Sequence, residues 1–308
     1  KLMDLKSKII LISGPTASGK SKFAISLAKN INGEIINADS MQVFKELKIL
    51  TARPNLKDTN KIKHHLYGYK SVKENYSVGD WLKDSKIKIF NIKKKNKVPI
   101  LVGGTGLYFK ALIDGIVKIP NVPISIRNKI RQKHIKIGQN KFYSELVKID
   151  PISKNMINKN DSQRTIRAFE VKKFTKKSLF DWYKSTSPDF KKNEFVKLYI
   201  DYPRTELLKQ ISKRTDAMIK EGAILEADRF NKLKISKDLS SSKVIGLTEI
   251  KDYLNKKISL NDLKEQISIK TRQYAKRQST WSRGQMSEWQ KIKYSDLKTL
   301  IKKFAKYA

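Results

Sequence analysis

"LISGPTASGKSKFAISLA", residues 11–28, decides the fold. An apolar run stops at a glycine, and the eight residues Gly14, Pro15, Thr16, Ala17, Ser18, Gly19, Lys20 and Ser21 fit G-x-x-x-x-G-K-[ST]. A glycine-rich turn between a strand and a helix aims backbone N–H groups and the positive end of the helix at a phosphate. Lys20 adds a point charge and Ser21 offers a hydroxyl to Mg²⁺. The apolar "KIILIS" (8–13) reads as the strand, and Phe23, Ile25, Leu27 and Ala28 give the following segment a helical pattern. The loop by itself does not separate a kinase, a nucleotidase or another phosphate chemistry.

Outward from this stretch, "GEIINADS" (33–40), "VPILVGGTG" (98–106) and "FVKLYIDY" (195–202) read as three more strands, with "LYFKALIDG" a short helix closed by Gly115. Alternating strands and helices around a phosphate loop predict an α/β fold: a P-loop core with a parallel sheet covered by helices. Function then belongs at the carboxyl ends of the strands. Two prolines in "IPNVPIS" (119–125) mark a hinge, and 126–183 is helical in pattern and basic. The expected organisation is a core from 1–118, a helical, basic insertion over 119–193, and a return strand with mostly helical chain over 194–308. The final third shows no clear strand. "NIKKKNK" (91–97) reads as a solvated turn.

Composition narrows the partners. Sixty-seven Lys and Arg against 29 Asp and Glu give a net charge of +38, spread over all three segments and densest in the middle one. Such a surface suits a polyanion such as RNA, although general use of lysine accounts for the even spread equally well. Only 11 cations are Arg, and Arg164 with Arg167 and Arg272, Arg277 and Arg283 lie close in sequence. In a lysine-rich chain an arginine marks either a use for its planar fork on a phosphate or base edge, or ion pairing on a helix surface. Cys is absent, no apolar run reaches the roughly 18 residues of a membrane helix, and no signal-peptide layout is visible. A cytoplasmic protein without membrane contact is expected. His64, His65 and His134 form no metal motif.

Two polar groups stand at strand ends beside the phosphate loop. Asp39 ends the second strand, as a general base or as a helix cap. Thr105 follows the third, as a hydroxyl donor or as part of a tight turn. In "TRQYAKRQSTWSR" (271–283), Arg272, Lys276 and Arg283 share one helix face, and Tyr274, Gln278 and Trp281 another.

The series "GPTASGKS", "DSMQVFK", "TARP" (51–54), "HHLYG" (64–68), "VGGTGLYFKALIDG", "DSQRTIRAFEV" (161–171), "IGLTEI" (245–250) and "TRQYAKRQSTWSR" resembles the tRNA dimethylallyltransferase family, bacterial type, over nearly the whole chain. The resemblance implies transfer of a dimethylallyl group from dimethylallyl diphosphate to N6 of adenosine 37 in tRNA, with Mg²⁺ as cofactor. It implies Asp39 as base, Thr105 as its catalytic partner, and Gly14 to Ser21 with Arg214 as the diphosphate site. It also implies tRNA contacts at Asp39, Ser40, Met41 and Gln42, at Thr105 and Arg127, and at Gln163, Arg164, Thr165, Ile166 and Arg167. Lys243, Val244, Ile245, Gly246, Leu247 and Thr248, with Arg272 and Arg277, complete that set. A monomer with no obligate protein partner is implied. The chain departs from the family pattern at Leu50 and Arg53, where glycine and lysine are common, at Leu247 and Thr248, where tyrosine and lysine are frequent, and at Ser282, where an aromatic is common. A P-loop small-molecule kinase is the rival reading, with ATP at the loop.

Overall fold

The computed structural model describes residues 7–55, 60, 62–184, 186–297 and 299. Among these residues, six parallel strands form one sheet: β1 (Ile9–Ser13), β2 (Gly33–Asn37), β3 (His64–His65), β4 (Val98–Val102), β5 (Phe195–Asp201) and β6 (Gln290–Lys293), in the order β3-β2-β4-β1-β5-β6. All residues of β1, β2 and β4 are buried, the continuous apolar run expected of inner parallel strands covered on both faces. Leu11 sits in the middle of β1, paired with Leu101 on one side and Lys197 on the other.

The helices are α1 (Lys20–Asn30), α2 (Val78–Lys93), α3 (Gly106–Asp114), α4 (Ile124–Ile149), α5 (Ser153–Met156), α6 (Ser162–Thr175), α7 (Leu179–Tyr183), α8 (Arg204–Lys220), α9 (Ala223–Lys232), α10 (Leu247–Leu254) and α11 (Leu260–Gln285). Sequence-local capping starts two of the longer ones. Ser77 and Asp80 cap α2 reciprocally, and Ser259 and Asp262 cap α11 in the same way. Gly138, at φ 75°, breaks α4 into two helical stretches.

Two strands lie where the sequence suggests none. β6 falls in the final third, and only Ile292 of its four residues is buried, so it carries almost no apolar signal. β3 is two residues long. The charged run at 91–97 divides: α2 continues to Lys93, and the turn follows.

The chain forms two compact units, Lys1–Ala111 with Phe190–Ala308 and Leu112–Asp189. The second begins before the proline-marked hinge and ends slightly before the boundary that the sequence suggests. In the first, Phe23, Ala24 and Leu27 of α1 pack on Ile10, Ile12, Ile100 and Ile200 of the sheet. The second has its own core around Phe142, Leu146 and Phe169, with the two phenylalanine rings stacked 4.6 Å apart. Among the described residues, no helix is long and apolar enough to cross a membrane.

Candidate active site

The phosphate loop leaves the carboxyl end of β1 and enters α1. Gly19 takes φ 81° at the helix start, a conformation that a side chain would strain. Lys20 Nζ donates to Pro15 O at 2.6 Å, and Arg214 Nη1, from α8, donates to Thr16 Oγ1 at 2.8 Å. Burial pushes the Lys20 ammonium down to about 8, with Asp39 opposing the shift and Arg214 adding to it. Burial also lowers Arg214, again against the pull of Asp39. Among the described residues, neither cation meets a carboxylate at salt-bridge distance, and the Ser18 hydroxyl in the same loop is buried with no partner. Two desolvated cations and an orphaned donor are the electrostatics of a site built for an anion.

The ends of β2 and β4 meet beside this loop. A side chain at Gly103 would stand 1.9 Å from Ala38 O, so the glycine permits the approach. Thr105 N donates to Ala38 O at 3.2 Å, and Ser40 N donates to Thr105 Oγ1 at 2.9 Å. Asp39 is no helix cap: its Oδ1 accepts from Met41 N at 2.9 Å inside a turn that Asn37 braces by accepting from Asp39 N at 2.8 Å. The Asp39 charge acts on Lys20 and Arg214, and helps raise the Tyr67, Tyr108 and Tyr274 phenols, whose largest cause is burial. The carboxylate thus faces the cations and a ring of un-ionised phenols.

These groups line one cleft of about 740 Å³, shared by Thr16 to Lys22, Asp39, Met41, Gln42, Arg214, Tyr274 and Arg277. Lys243, Val244 and Ile245 reach its wall. Thr105 lines a smaller adjoining pocket of about 220 Å³ with Gly104, Arg277, Gln278 and Trp281. A chemistry that separates a phosphate leaving group while a carboxylate takes a proton nearby has its parts here.

A model for the IPP transferase family matches residues 42–285. The chain belongs to the IPP transferase family. It is 55% identical over 304 residues to the tRNA dimethylallyltransferase of Pelagibacter ubique, covering 99% of this chain and 97% of that protein. The solved tRNA isopentenylpyrophosphate transferase from Bacillus halodurans is 30% identical, with a TM-score of 0.67 over 98% of this chain and 96% of that one. A eukaryotic dimethylallyltransferase solved acting on tRNA is 28% identical, with a TM-score of 0.82 over 94% of this chain and 75% of that one.

The residues that the sequence singles out do not all converge on this cleft. Arg277 lies at the cleft, but Arg272 lines a separate groove of about 810 Å³ with Arg204, Lys276 and Arg283, and binds Glu265 at 2.7 Å. Gly246 caps α10 at φ 105°, Leu247 is buried in the core and Thr248 is exposed on α10, so none of these three lines the cleft. Arg127 and Gln163–Arg167 belong to the insertion unit. There Thr165 is fully buried and donates to Asp161 O at 2.6 Å, a packing role within α6.

Gln278 was legible as a helix face but not as a contact. Its Oε1 accepts from Thr16 N at 2.8 Å and its Nε2 donates to Gly104 O at 3.0 Å. One α11 side chain therefore ties the phosphate loop to the turn that carries Thr105. Tyr274, one turn earlier, lines the main cleft and also the smaller pocket that holds Thr105 and Gln278. The opposition of Tyr274, Gln278 and Trp281 to the cationic face was the available signal.

Proposed function

We propose that this chain transfers a dimethylallyl group from dimethylallyl diphosphate to N6 of adenosine 37 in tRNA. The observation that carries the reading is the pairing of desolvated Lys20 and Arg214 with Asp39 across one cleft, in a chain of this family. The diphosphate meets Lys20, Arg214 and the N–H groups at the start of α1, which stabilise the charge that grows as the C1–O bond breaks. The electron pair of that bond leaves on the diphosphate oxygen. Adenine N6 forms the new bond to C1, and its proton passes to the Asp39 carboxylate. Asp39 answers a specific difficulty: the N6 lone pair is delocalised into the ring, so attack is helped by a base in place.

Mg²⁺ fits the residues present, because the exposed Ser21 hydroxyl lines the cleft next to Lys20 and the described residues hold no cluster of three metal-ligating side chains to cage it. It would be held by Ser21 and phosphate oxygens, and would supply charge neutralisation on the leaving diphosphate. The base leaves the anticodon-loop stack to reach Asp39. Arg277 and Lys243 at the cleft, and Arg127, Arg164 and Arg167 on the insertion, serve as RNA contacts in this reading. Asp39→Ala tests it: transfer is lost while tRNA binding persists, and near-normal turnover in that variant removes Asp39 as the base.

A further inference from the structure

The cleft wall contains a turn that is closed at both ends by side chains from outside it, one nearby in sequence and one far away. Residues 47–53 wind tightly: Ala52 N donates to Ile49 O at 2.9 Å, Arg53 N to Lys48 O at 3.0 Å, and Thr51 Oγ1 to Leu47 O at 2.6 Å. A single turn of this kind leaves amide groups without partners at its start and carbonyl groups without partners at its end. Here both sets are taken up. Glu226, in the first turn of α9, accepts from Lys48 N at 2.9 Å, from Ile49 N at 2.7 Å and from Leu50 N at 3.0 Å. At the other end, Gln42 Nε2 donates to Thr51 O at 2.9 Å and to Ala52 O at 3.1 Å.

Gln42, Leu50, Thr51 and Ala52 all line the cleft that holds Asp39. Both hydrogens of the Gln42 amide are used by the turn, and Oε1 is the polar atom of that side chain left to meet a ligand. An amide fixed this way is an acceptor with a defined direction. It favours a base that presents an N–H donor and opposes one that presents a carbonyl oxygen at the same place. Adenine carries an exocyclic amine where hypoxanthine carries an oxygen.

We infer that Glu226 is a positioning residue for the acceptor base: its carboxylate closes the amide end of the 47–53 turn, and the turn in turn holds Gln42 with its oxygen toward the cleft. The inference rests on the tRNA-prenylating reading above. Glu226 touches neither the phosphate loop nor Asp39 in the contacts described; it acts on the turn through these three amides and through attraction on the Arg53 guanidinium at the turn's end. Without the carboxylate, three amides lose a charge-assisted partner, the turn relaxes, and the Gln42 amide can rotate. Arg53 secures the same segment from the side, donating through Nη1 to Phe44 O at 2.9 Å, so the chain has a second tie that keeps the loop folded when Glu226 is changed.

The test compares wild type, Glu226→Ala and Glu226→Gln for binding to anticodon stem-loop RNAs with adenosine or inosine at position 37. Dimethylallyl diphosphate affinity and melting temperature are measured alongside. Wild type is expected to prefer the adenosine RNA by about tenfold or more, the usual scale for leaving one buried polar atom unmatched. Glu226→Ala lowers that preference by about threefold or more, the remainder being set by the Asp39 carboxylate that receives the N6 proton, and Glu226→Gln, which keeps one accepting oxygen, lies between. Donor affinity stays within about twofold, because no phosphate contact changes. In a Gln42→Ala background the Glu226 substitution no longer alters the preference. A folded Glu226→Ala protein with the wild-type preference, or an unchanged Glu226 effect without Gln42, overturns the inference. Transfer to the adenosine RNA by the wild type is measured in the same series: a wild type that transfers while its variants discriminate normally overturns this inference alone. An inert wild type overturns the parent reading and the inference together.

Discussion

The cations of the cleft and those of the insertion unit are arranged on opposite principles. In the cleft, Lys20 and Arg214 are half-buried, desolvation disfavours their charged forms, and Asp39 supplies attraction without a salt bridge. In the insertion, Arg127, Arg131 and Arg167 remain 40–45% exposed around one buried carboxylate, Glu170, at 3.4–3.6 Å. A buried cation that lacks an anion is held at a cost, and the matching ligand relieves that cost. Solvated arginines are held by one another's partner, and an added phosphate gains little from any one of them. On the proposed function, the difference becomes a division of labour between few strong contacts at the diphosphate and many weak, salt-sensitive contacts to RNA.

The largest effects should therefore fall in the cleft. Asp39→Ala is expected to lower turnover by about 10²–10⁴-fold with tRNA affinity preserved, measured by single-turnover transfer and by filter binding. Lys20→Met follows, with transfer reduced about 10²–10³-fold and the loss appearing in donor affinity as well as in rate. If Lys20→Met left donor affinity intact, the contrast between buried and exposed cations would collapse.

That same lysine sharpens the comparison through pH. Its folded value of about 8 lies below the ordinary 10.5, so between those values the unfolded chain binds more protons than the folded one. The contribution of this group makes the ligand-free protein more stable as pH rises through that window, while donor affinity falls because the neutral amine no longer meets the diphosphate. In thermal melts, Lys20→Met should be stabilised relative to wild type below pH 8, less the lost bond to Pro15 O, and the charge-dependent gap should close above pH 10.5. A gap constant across pH would contradict the assigned burial cost.

The smallest effect belongs to the insertion. Arg167→Ala is expected to weaken tRNA binding several-fold and to reduce the slope of log affinity against log salt by about one, with the rate of the bound complex unchanged. A loss of chemistry at unchanged affinity would move Arg167 out of the group of RNA contacts.

What was legible in the sequence follows from distance along the chain. The phosphate loop, Asp39 and Thr105 are each local patterns at the end of an apolar run, and the parallel sheet places strand ends together. The sequence-based strands at 8–13, 33–40, 98–106 and 195–202 correspond to β1, β2, β4 and β5, each slightly shorter. β6 was hidden because an edge strand with one buried residue has no alternating pattern to read. The contacts of Gln278 with Thr16 and of Glu226 with residues 48–50 join positions 262 and at least 176 residues apart, and neither glutamine nor glutamate announces a partner at such range. Arg272 was grouped with Arg277 by sequence proximity, yet helical geometry turns the two to different faces of α11, one toward a surface groove and one toward the cleft.

The central claim is tested most directly by a transfer assay with purified protein, Mg²⁺ and tRNA lacking the modification. Dimethylallyl diphosphate is offered in one reaction and ATP in another, and the digested nucleosides are read by mass spectrometry. The account predicts an isopentenyl-sized mass gain on adenosine with the allylic diphosphate alone, and its disappearance in Asp39→Ala. No mass gain with that donor, together with ATP consumed in the other reaction, would contradict it and make the phosphate loop that of a kinase.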